Sequence, residues 1–237
     1  MKIKVGDSIE TQNANWSFSG DVYKNFDEHV EKSVPLYKEG HDLICGLTDF
    51  FVKQGSVIYE IGSSTGTLFK RMRSRINKRD VRFIGIEPVE EMVSAARKKH
   101  ADDSAVSFIV DDVLNVDLEP TDLIVSYYSI QFIPPKFRQQ IFDKIYSSLN
   151  WGGAFILFEK VRAADARFQD ITSELYIDFK LHNGFTSDEI FSKARSLKGV
   201  LEPFSTRGNL DLLTRAGFQD CMSVLKYVNF EGFLAIK

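Results

Sequence analysis

Cysteine is scarce in this sequence. The 237 residues contain two, Cys45 and Cys221, which lie far apart and form no Cys-x-x-Cys pair. Two isolated thiols argue against a cysteine-based metal centre or a disulfide framework. No His-Glu-x-x-His or other metal-ligand spacing occurs either, so we expect no metal. Such thiols are typical of small buried apolar residues in a reducing compartment.

Long apolar runs are absent as well. No segment reaches the roughly 20 apolar residues that a membrane-spanning helix needs. The first residues, MKIKVGDSIE, lack the apolar region of a signal peptide. We therefore expect a cytoplasmic protein without a membrane partner.

Positive charge is not in excess, because the formal net charge is −3. This balance argues against a broad nucleic-acid surface, and we expect no direct nucleic-acid binding. What the chain has is 43% hydrophobic residues, including 20 Phe. That composition can bury a sizeable core, and the length suits one α/β domain.

Short apolar runs alternate with amphipathic stretches from Val57 onward. The runs SVIYEIG, VRFIGIE, VSFIVDD, DLIVSYY and AFILFEK predict strands, with helices between them. The alternation predicts a doubly wound, mostly parallel sheet of the Rossmann type, with helices on both faces. The final runs MSVLKYV and FEGFLAIK predict an antiparallel hairpin at the sheet edge.

The order of these elements predicts a single domain with four parts. Helical periodicity without strands marks the segments before and after the core. The parts are an N-terminal helical lid over 1–54, a cofactor-binding core over 55–160, a helical insertion over 161–205, and a helix with the terminal hairpin over 206–237.

The stretch VIYEIGSSTG, residues 57–66, ends the first predicted core strand in a glycine turn. Gly62 and Gly66 allow positive φ and close approach of a ligand to the backbone. The spacing E-x-G-x-x-x-G does not match the dinucleotide pattern G-x-G-x-x-G, and the turn lacks the lysine of a phosphate-binding loop. The turn alone does not identify a ligand.

Carboxylates stand at three successive strand ends. Glu60 precedes the glycine turn, Glu87 ends the second core strand, and Asp111 and Asp112 end the third. Glu87 can accept bonds from two ribose hydroxyls, Asp112 can accept from an adenine amino group, and Glu60 can lie near an amino-acid ammonium. S-adenosyl-L-methionine (SAM) carries all three groups. NAD stays as an alternative, because Glu87 would also suit a dinucleotide ribose.

These motifs resemble the class I SAM-dependent methyltransferases. The stretches that carry the resemblance are YEIGSSTG, GIEP, VDDV and SYYSIQFIPP, and they span the whole core. The resemblance implies a seven-stranded sheet whose C-terminal strand is antiparallel.

A narrower resemblance, to the carboxy-SAM synthases, extends over nearly the whole chain. It rests on NWSFSGDVYKNFDEHVEKSVPLY, IQFIPPKFRQQIFDKIYSSLNWGG, LFEK, DFKLHNGF and SKARSL. The resemblance implies a homodimer that transfers a carboxylate from prephenate to the SAM methyl carbon, for wobble-uridine modification of tRNA. Arg195 matches the arginine that meets the added carboxylate. The implied cofactor contacts are Tyr37, Gly62, Ser63, Ser64, Glu87, Asp112 and Val113.

Three positions depart from the pattern of that family. Ser63 stands where the family usually has Cys, and Glu87 followed by Pro88 replaces Asp followed by Asn. Tyr127 aligns with an Asn that contacts the cofactor in the family. Tyr127 is larger and lacks an amide, so it would reshape the pocket around the sulfonium.

Candidate catalytic residues follow from what group transfer from SAM requires. The sulfonium is already activated, so the protein mainly has to hold the reactants in line. Tyr127 and Tyr128 can present aromatic faces to the cationic sulfur, and Arg195 can clamp a carboxylate. Tyr176, His182 and Glu159 are weaker candidates, for which structural roles are also expected.

We expect a SAM-dependent transferase, with a methyltransferase acting on a small, acidic molecule as the main interpretation. Carboxy-SAM synthesis from prephenate is the alternative. A non-catalytic SAM-binding regulatory protein is a third possibility, of another class. The sequence identifies neither the acceptor nor a catalytic base.

Overall fold

The computed structural model describes residues 3–6, 9–11 and 14–237. Its centre is a seven-stranded sheet in the order β5-β4-β3-β6-β7-β9-β8. Part of the predicted lid, 1–54, lies outside the described residues. The sheet strands are β3 (Val57–Ile61), β4 (Arg82–Ile86), β5 (Val106–Ile109), β6 (Thr121–Tyr127), β7 (Leu149–Lys160), β8 (Asp220–Tyr227) and β9 (Phe230–Ile236).

The first five of these strands are parallel, and β9 inserts antiparallel between β7 and β8. The predicted doubly wound sheet with an antiparallel end is therefore confirmed. The interior strands read as nearly continuous apolar runs, because helices cover both of their faces. β6 is buried along its whole length.

Eight α-helices and two short 3₁₀ helices, Gly20–Lys24 and Ile130–Phe132, are present in the described part of the chain. Helices α2, α3 and α4 pack on one face of the sheet, and α5 and α8 pack on the other. The bounds are α1 (Phe26–Ser33), α2 (Tyr37–Phe51), α3 (Thr67–Arg75), α4 (Glu90–Lys99), α5 (Pro135–Ser148), α6 (Ala166–His182), α7 (Ser187–Ser196) and α8 (Thr206–Ala216).

Helices α6 and α7 lie within residues 161–205, and local signals fix where each begins. Asp165 accepts a hydrogen bond from the backbone N–H of Phe168 at the start of α6. Thr186 and Glu189 form a reciprocal capping box at the start of α7. These caps satisfy backbone donors that would otherwise lack partners at each helix start.

Two short strands near the N-terminus were not predicted. β1 (Ile3–Lys4) and β2 (Glu10–Thr11) pair antiparallel outside the main sheet. Two residues each are too few to show a hydrophobic period.

The division of the chain into four parts stays a prediction. No helix of the described residues has the length and apolar character needed to cross a bilayer.

Candidate active site

A cavity of about 1240 Å³ lies beyond the carboxyl ends of the parallel strands. Residues after β3, β4, β5, β6 and β7 line it, together with residues of α1, α6 and α7. Strand order reverses between β3 and β6, and ligands of open α/β sheets bind at such a reversal.

The glycine turn after β3 forms one wall of this cavity and requires glycine at two positions. Gly62 has φ 73° and Gly66 has φ 72°, both in the left-handed region. A Cβ on Gly62 would overlap the Ser129 side chain, and one on Gly66 would come 2.9 Å from the Phe108 ring. The turn thereby keeps its backbone close to the cavity, where a ligand can approach it.

Glu87, at the end of β4, is held by backbone donors on both carboxylate oxygens. Oε2 accepts from the N–H of Ser64 at 3.0 Å, and Oε1 accepts from the N–H of Val89 at 3.1 Å. Burial raises the pKa of Glu87, and these two bonds act in the opposite direction. The carboxylate lines the cavity with lone pairs left for hydroxyl donors such as those of a ribose.

Glu60, the last but one residue of β3, is 4% exposed and lines the same cavity. Its Oε2 has no hydrogen-bond partner among the described residues. Burial raises the pKa of Glu60 well above its usual range, the charge of Glu87 adds to this, and Lys99 opposes it. A cationic ligand group would compensate this carboxylate, and the ammonium of SAM is such a group.

The neighbouring predicted contacts also line the cavity. The hydroxyl of Ser63 is buried without a partner among the described residues. Asp112 is exposed, and its Oδ1 accepts from the N–H of Leu114 at 2.9 Å, while Val113 is buried beside it. These carboxylates and hydroxyls therefore fit the polar groups of a SAM-like molecule. Tyr37, Glu60, Gly62, Ser63, Ser64, Glu87, Asp112, Val113 and Tyr127 all lie on the cavity wall.

Aromatic rings close the cavity above β6. The hydroxyl of Tyr127 donates to the backbone carbonyl of Tyr37 at 2.6 Å. The Tyr127 ring lies 4.6 Å from His41 and 4.7 Å from Tyr128, centroid to centroid. Burial raises the pKa of both tyrosines, so both remain neutral phenols. Their side chains form a wall, and the Tyr127 hydroxyl is committed to the protein backbone.

Arg195 is not brought together with these residues. It is exposed on α7 and does not line the cavity of its own chain. Its guanidinium lies over the ring of Phe191, 5.4 Å from the centroid. The assignment of Arg195 as a carboxylate clamp stays a prediction, as do the other residue roles.

Sequence reasoning missed the basic side of the cavity. Lys160 ends β7, and Lys180 lies on α6; both line the cavity. Burial lowers the pKa of Lys160 to about 7 and that of Lys180 to about 8. The signal for it in the sequence is a lysine at the end of a buried strand, where Glu60 and Glu87 stand on other strands.

Sequence reasoning also missed a polar cluster that joins α1 to the glycine turn. Asp27 accepts from the hydroxyls of Thr65 at 2.7 Å and Thr67 at 3.0 Å. Lys99 donates to Asp27 at 3.0 Å. These bonds hold α1 across the cavity beside the turn.

Known proteins share this architecture and sequence. Residues 58–153 match the family described as a methyltransferase domain. The carboxy-S-adenosyl-L-methionine synthase of Staphylococcus epidermidis is 40% identical over 94% of this chain and 97% of the relative. This chain belongs to the carboxy-S-adenosyl-L-methionine synthase family. The protein of that name from Shewanella oneidensis is 32% identical over 94% of this chain and 93% of the relative.

Solved structures support the fold of the carboxy-SAM synthase family member. An S-adenosyl-L-methionine-dependent methyltransferase of Methanococcus maripaludis matches with a TM-score of 0.62 and 20% identity, over 94% of this chain and 95% of that one. Human N-acetylserotonin methyltransferase in complex with SAM matches with a TM-score of 0.60 and 17% identity, over 91% of this chain and 57% of that one. The protein is a SAM-dependent transferase, and SAM or carboxy-SAM is its cofactor.

Proposed function

We propose that the protein synthesises carboxy-SAM from SAM and prephenate, a small dicarboxylate. The observation that carries this proposal is the division of charge along the cavity. Acidic residues stand at the ends of β3, β4 and β5, and basic residues stand at the end of β7 and on α6. The acidic side suits a cationic cofactor with an ammonium tail, and the basic side suits an anionic donor. The name shared by the relatives points the same way.

The acidic side would hold the cofactor by its polar groups. Glu87 would accept from the ribose hydroxyls, and Asp112 would accept from the adenine amino group. Glu60 would face the ammonium, with Ser63 and Ser64 contributing at the turn. Each of these side chains lines the cavity, and the ammonium would give the unpartnered oxygen of Glu60 a donor.

The reaction asks the protein for binding and alignment more than for covalent chemistry. SAM would supply an activated methyl carbon, which would lose a proton and form a bond to the carboxyl group of prephenate. The bond from that carboxyl group to the prephenate ring would break, the ring hydroxyl would leave with the proton as water, and phenylpyruvate would remain. Tyr127 and Tyr128 would shield this step from solvent, because both are buried in the wall between the acidic and basic sides.

The proposal is tested with purified protein, prephenate and SAM labelled with ¹³C in the methyl group. Mass spectrometry should find the label in carboxy-SAM, with phenylpyruvate formed in equal amount. Reaction mixtures without prephenate serve as the control. Unchanged SAM after incubation with folded protein that binds SAM would contradict the proposal.

Methyl transfer to a small acid is the second candidate. It is favoured by the position of Arg195 outside the cavity and by the bulk of Tyr127 at the cofactor wall. In the same experiment, methyl transfer would leave S-adenosylhomocysteine and move the label to an added acceptor, so the two reactions give different labelled products.

We propose further that the protein is a cytoplasmic homodimer. Four large apolar side chains on α6 and α7 are at least half exposed: Phe168, Ile171, Leu175 and Phe191. Phe168, Ile171 and Leu175 recur at helical spacing along one side of α6, and such a patch is typical of an interface. Because Arg195 does not line the cavity of its own chain, a role for it in carboxylate binding would require the cavity of a second copy. Light scattering should give the mass of a dimer, and Leu175→Glu should give a folded monomer; a monomeric native protein would contradict the proposal.

A further inference from the structure

The basic side of the cavity contains two ammonium groups that share one aromatic ring. Lys160 Nζ lies 4.1 Å from the centroid of the Tyr176 ring, and Lys180 Nζ lies 4.3 Å from it. Tyr176 is fixed in place because its hydroxyl donates to the backbone carbonyl of Ser33 at 2.8 Å. The ring partly stabilises both cations through its face.

Within the part of the chain that the structure describes, neither ammonium has a counter-ion. No ion pair of the described residues includes Lys160 or Lys180, although Lys180 is only 8% exposed. A buried ammonium without a partner is unfavourable, and a second one nearby makes it more so. Ordinary packing does not explain this pair, since a methionine or leucine would fill the same space without the charge.

We propose that Lys160 and Lys180 form the anion subsite for the carboxyl donor and each bind one carboxylate of a small dicarboxylate. Two uncompensated positive charges call for a ligand with two negative charges. They come from different elements, the end of β7 and the last turn of α6, and both lie against the Tyr176 ring, so two carboxylates on one small ligand can each meet one ammonium. This assignment rests on the proposed function, to which it adds the residues that select the donor.

The surroundings of the pair support its role. Lys160 faces Lys180 on α6 and Tyr176 between them, with Phe230 of β9 5.7 Å from its Nζ. Arg162 and Lys198 are the further charged groups that act on it, and both are cationic. Burial and these positive charges lower the pKa of Lys160 to about 7. A bound dianion would raise it again, so binding should take up protons near pH 8.

The test is calorimetric titration with prephenate and, as a simpler probe, succinate. Phenylpyruvate, which has one carboxylate, and phenyl phosphate are the comparison ligands. The variants are Lys160→Met and Lys180→Met, which keep the length of the side chain and remove the charge. Lys70→Met is the matched control, because Lys70 is exposed on α3 and does not line the cavity.

We expect each dicarboxylate to bind the native protein at least tenfold more tightly than either cavity variant, and phenylpyruvate to bind more weakly than prephenate. Proton uptake at pH 8, read from buffers of different ionisation enthalpy, should disappear in the variants. Equal dicarboxylate affinity in native and variant proteins would overturn the proposal. Lysine-dependent binding of phenyl phosphate without dicarboxylate binding would also overturn it.

The outcome is distinguishable from failure of the proposed function. If the native protein forms no carboxy-SAM but binds succinate in a lysine-dependent way, the subsite stands and the proposed reaction fails. If carboxy-SAM forms and both methionine variants bind prephenate as the native protein does, only the subsite assignment fails.

Discussion

At the scale of single residues, the cofactor side of the cavity depends on carboxylates that are buried before any ligand arrives. Glu87 is 7% exposed and Glu60 is 4% exposed. Glu87 is compensated by two backbone donors, whereas one oxygen of Glu60 has no partner among the described residues. The two side chains therefore differ in what a bound ligand does for them. Glu87 already has hydrogen-bond partners and positions the ligand, whereas Glu60 receives from the ligand the compensating charge that it lacks.

Replacing Glu87 should weaken SAM binding without unfolding the protein. Hydrogen bonds to a charged group contribute about 1.5–3 kcal/mol, so Glu87→Ala should lower SAM affinity by roughly 10- to 100-fold. Isothermal titration with SAM measures the change. Glu90→Ala is the matched control, because Glu90 is exposed on α4 and lies outside the cavity. Native affinity in Glu87→Ala would contradict the assignment of the ribose contact.

Gly62 should tolerate no side chain. Its φ of 73° is unfavourable for alanine, and a Cβ would overlap Ser129. Gly62→Ala should therefore lower the free energy of unfolding by about 1–3 kcal/mol, measured by urea denaturation. Gly46→Ala is the control with the opposite sign: Gly46 lies inside α2 with open space around it, and alanine there should add about 0.5–1 kcal/mol. Equal effects of the two substitutions would contradict the strain argument.

At the scale of elements, polar side chains attach α1 to the glycine turn. Asp27 connects it to Thr65, Thr67 and Lys99. Thr67 is the first residue of α3, and Asp27, Thr65 and Thr67 line the cavity. The position of α1 and the shape of the glycine turn are thus linked through one carboxylate, that of Asp27.

Removing that carboxylate should loosen α1 and leave the sheet intact. In Asp27→Ala we expect faster hydrogen exchange over Phe26–Ser33 and SAM affinity reduced several-fold, with unchanged exchange in β3. Glu28→Ala is the matched control in the same helix, because Glu28 bonds Lys32 at the surface. If the amides of α1 exchange at native rates in Asp27→Ala, the attachment does not depend on this cluster.

Elements were easier to predict from the sequence than the contacts between them. The strands of the core are apolar runs, and the glycines and acids at their ends mark the cofactor side directly. The meeting of Lys160 with Lys180 depends on how α6 docks over β7, which no local pattern encodes. Gly40 shows the same limit: a Cβ there would overlap the Tyr127 hydroxyl, a long-range reason that its place inside α2 does not reveal. The outward position of Arg195 is likewise a matter of tertiary packing.

At the scale of the whole molecule, the two sides of the cavity bury charge of opposite sign. Glu60 and Glu87 lie over β3 and β4, and Lys160 and Lys180 lie two strands away, with β6 and its tyrosines between them. No ion pair recorded for the described residues joins these acidic and basic side chains across the cavity. The unliganded fold is therefore less stable than one with an apolar cavity, and ligands of the matching charge should stabilise it.

This arrangement gives a pH dependence of stability with a definite sign. The folded-state pKa values of Lys160, about 7, and Lys180, about 8, lie below the ordinary lysine value of about 10.4. Between about pH 7 and pH 10 the unfolded chain therefore binds more protons than the folded one, so stability from these groups rises with pH. Below about pH 7 the lysines are charged in both the folded and the unfolded state, and the folded state bears the full cost of burying two ammonium groups. Glu159, whose pKa burial raises to about 8, contributes the opposite trend below pH 8.

The double variant Lys160→Met, Lys180→Met separates these contributions, because Glu159 is present in both proteins and its effect cancels in the difference. At pH 7 the variant should exceed the native protein in free energy of unfolding by on the order of 1–3 kcal/mol, the cost of burying uncompensated polar groups. The difference should shrink towards pH 10, where the native lysines are neutral in both states. Urea denaturation at pH 7, 8.5 and 10 measures it. Adding succinate at pH 7 should stabilise the native protein and not the double variant. A difference in free energy of unfolding that stays constant with pH would contradict the prediction, because it would mean that the lysines are solvated and carry no buried charge.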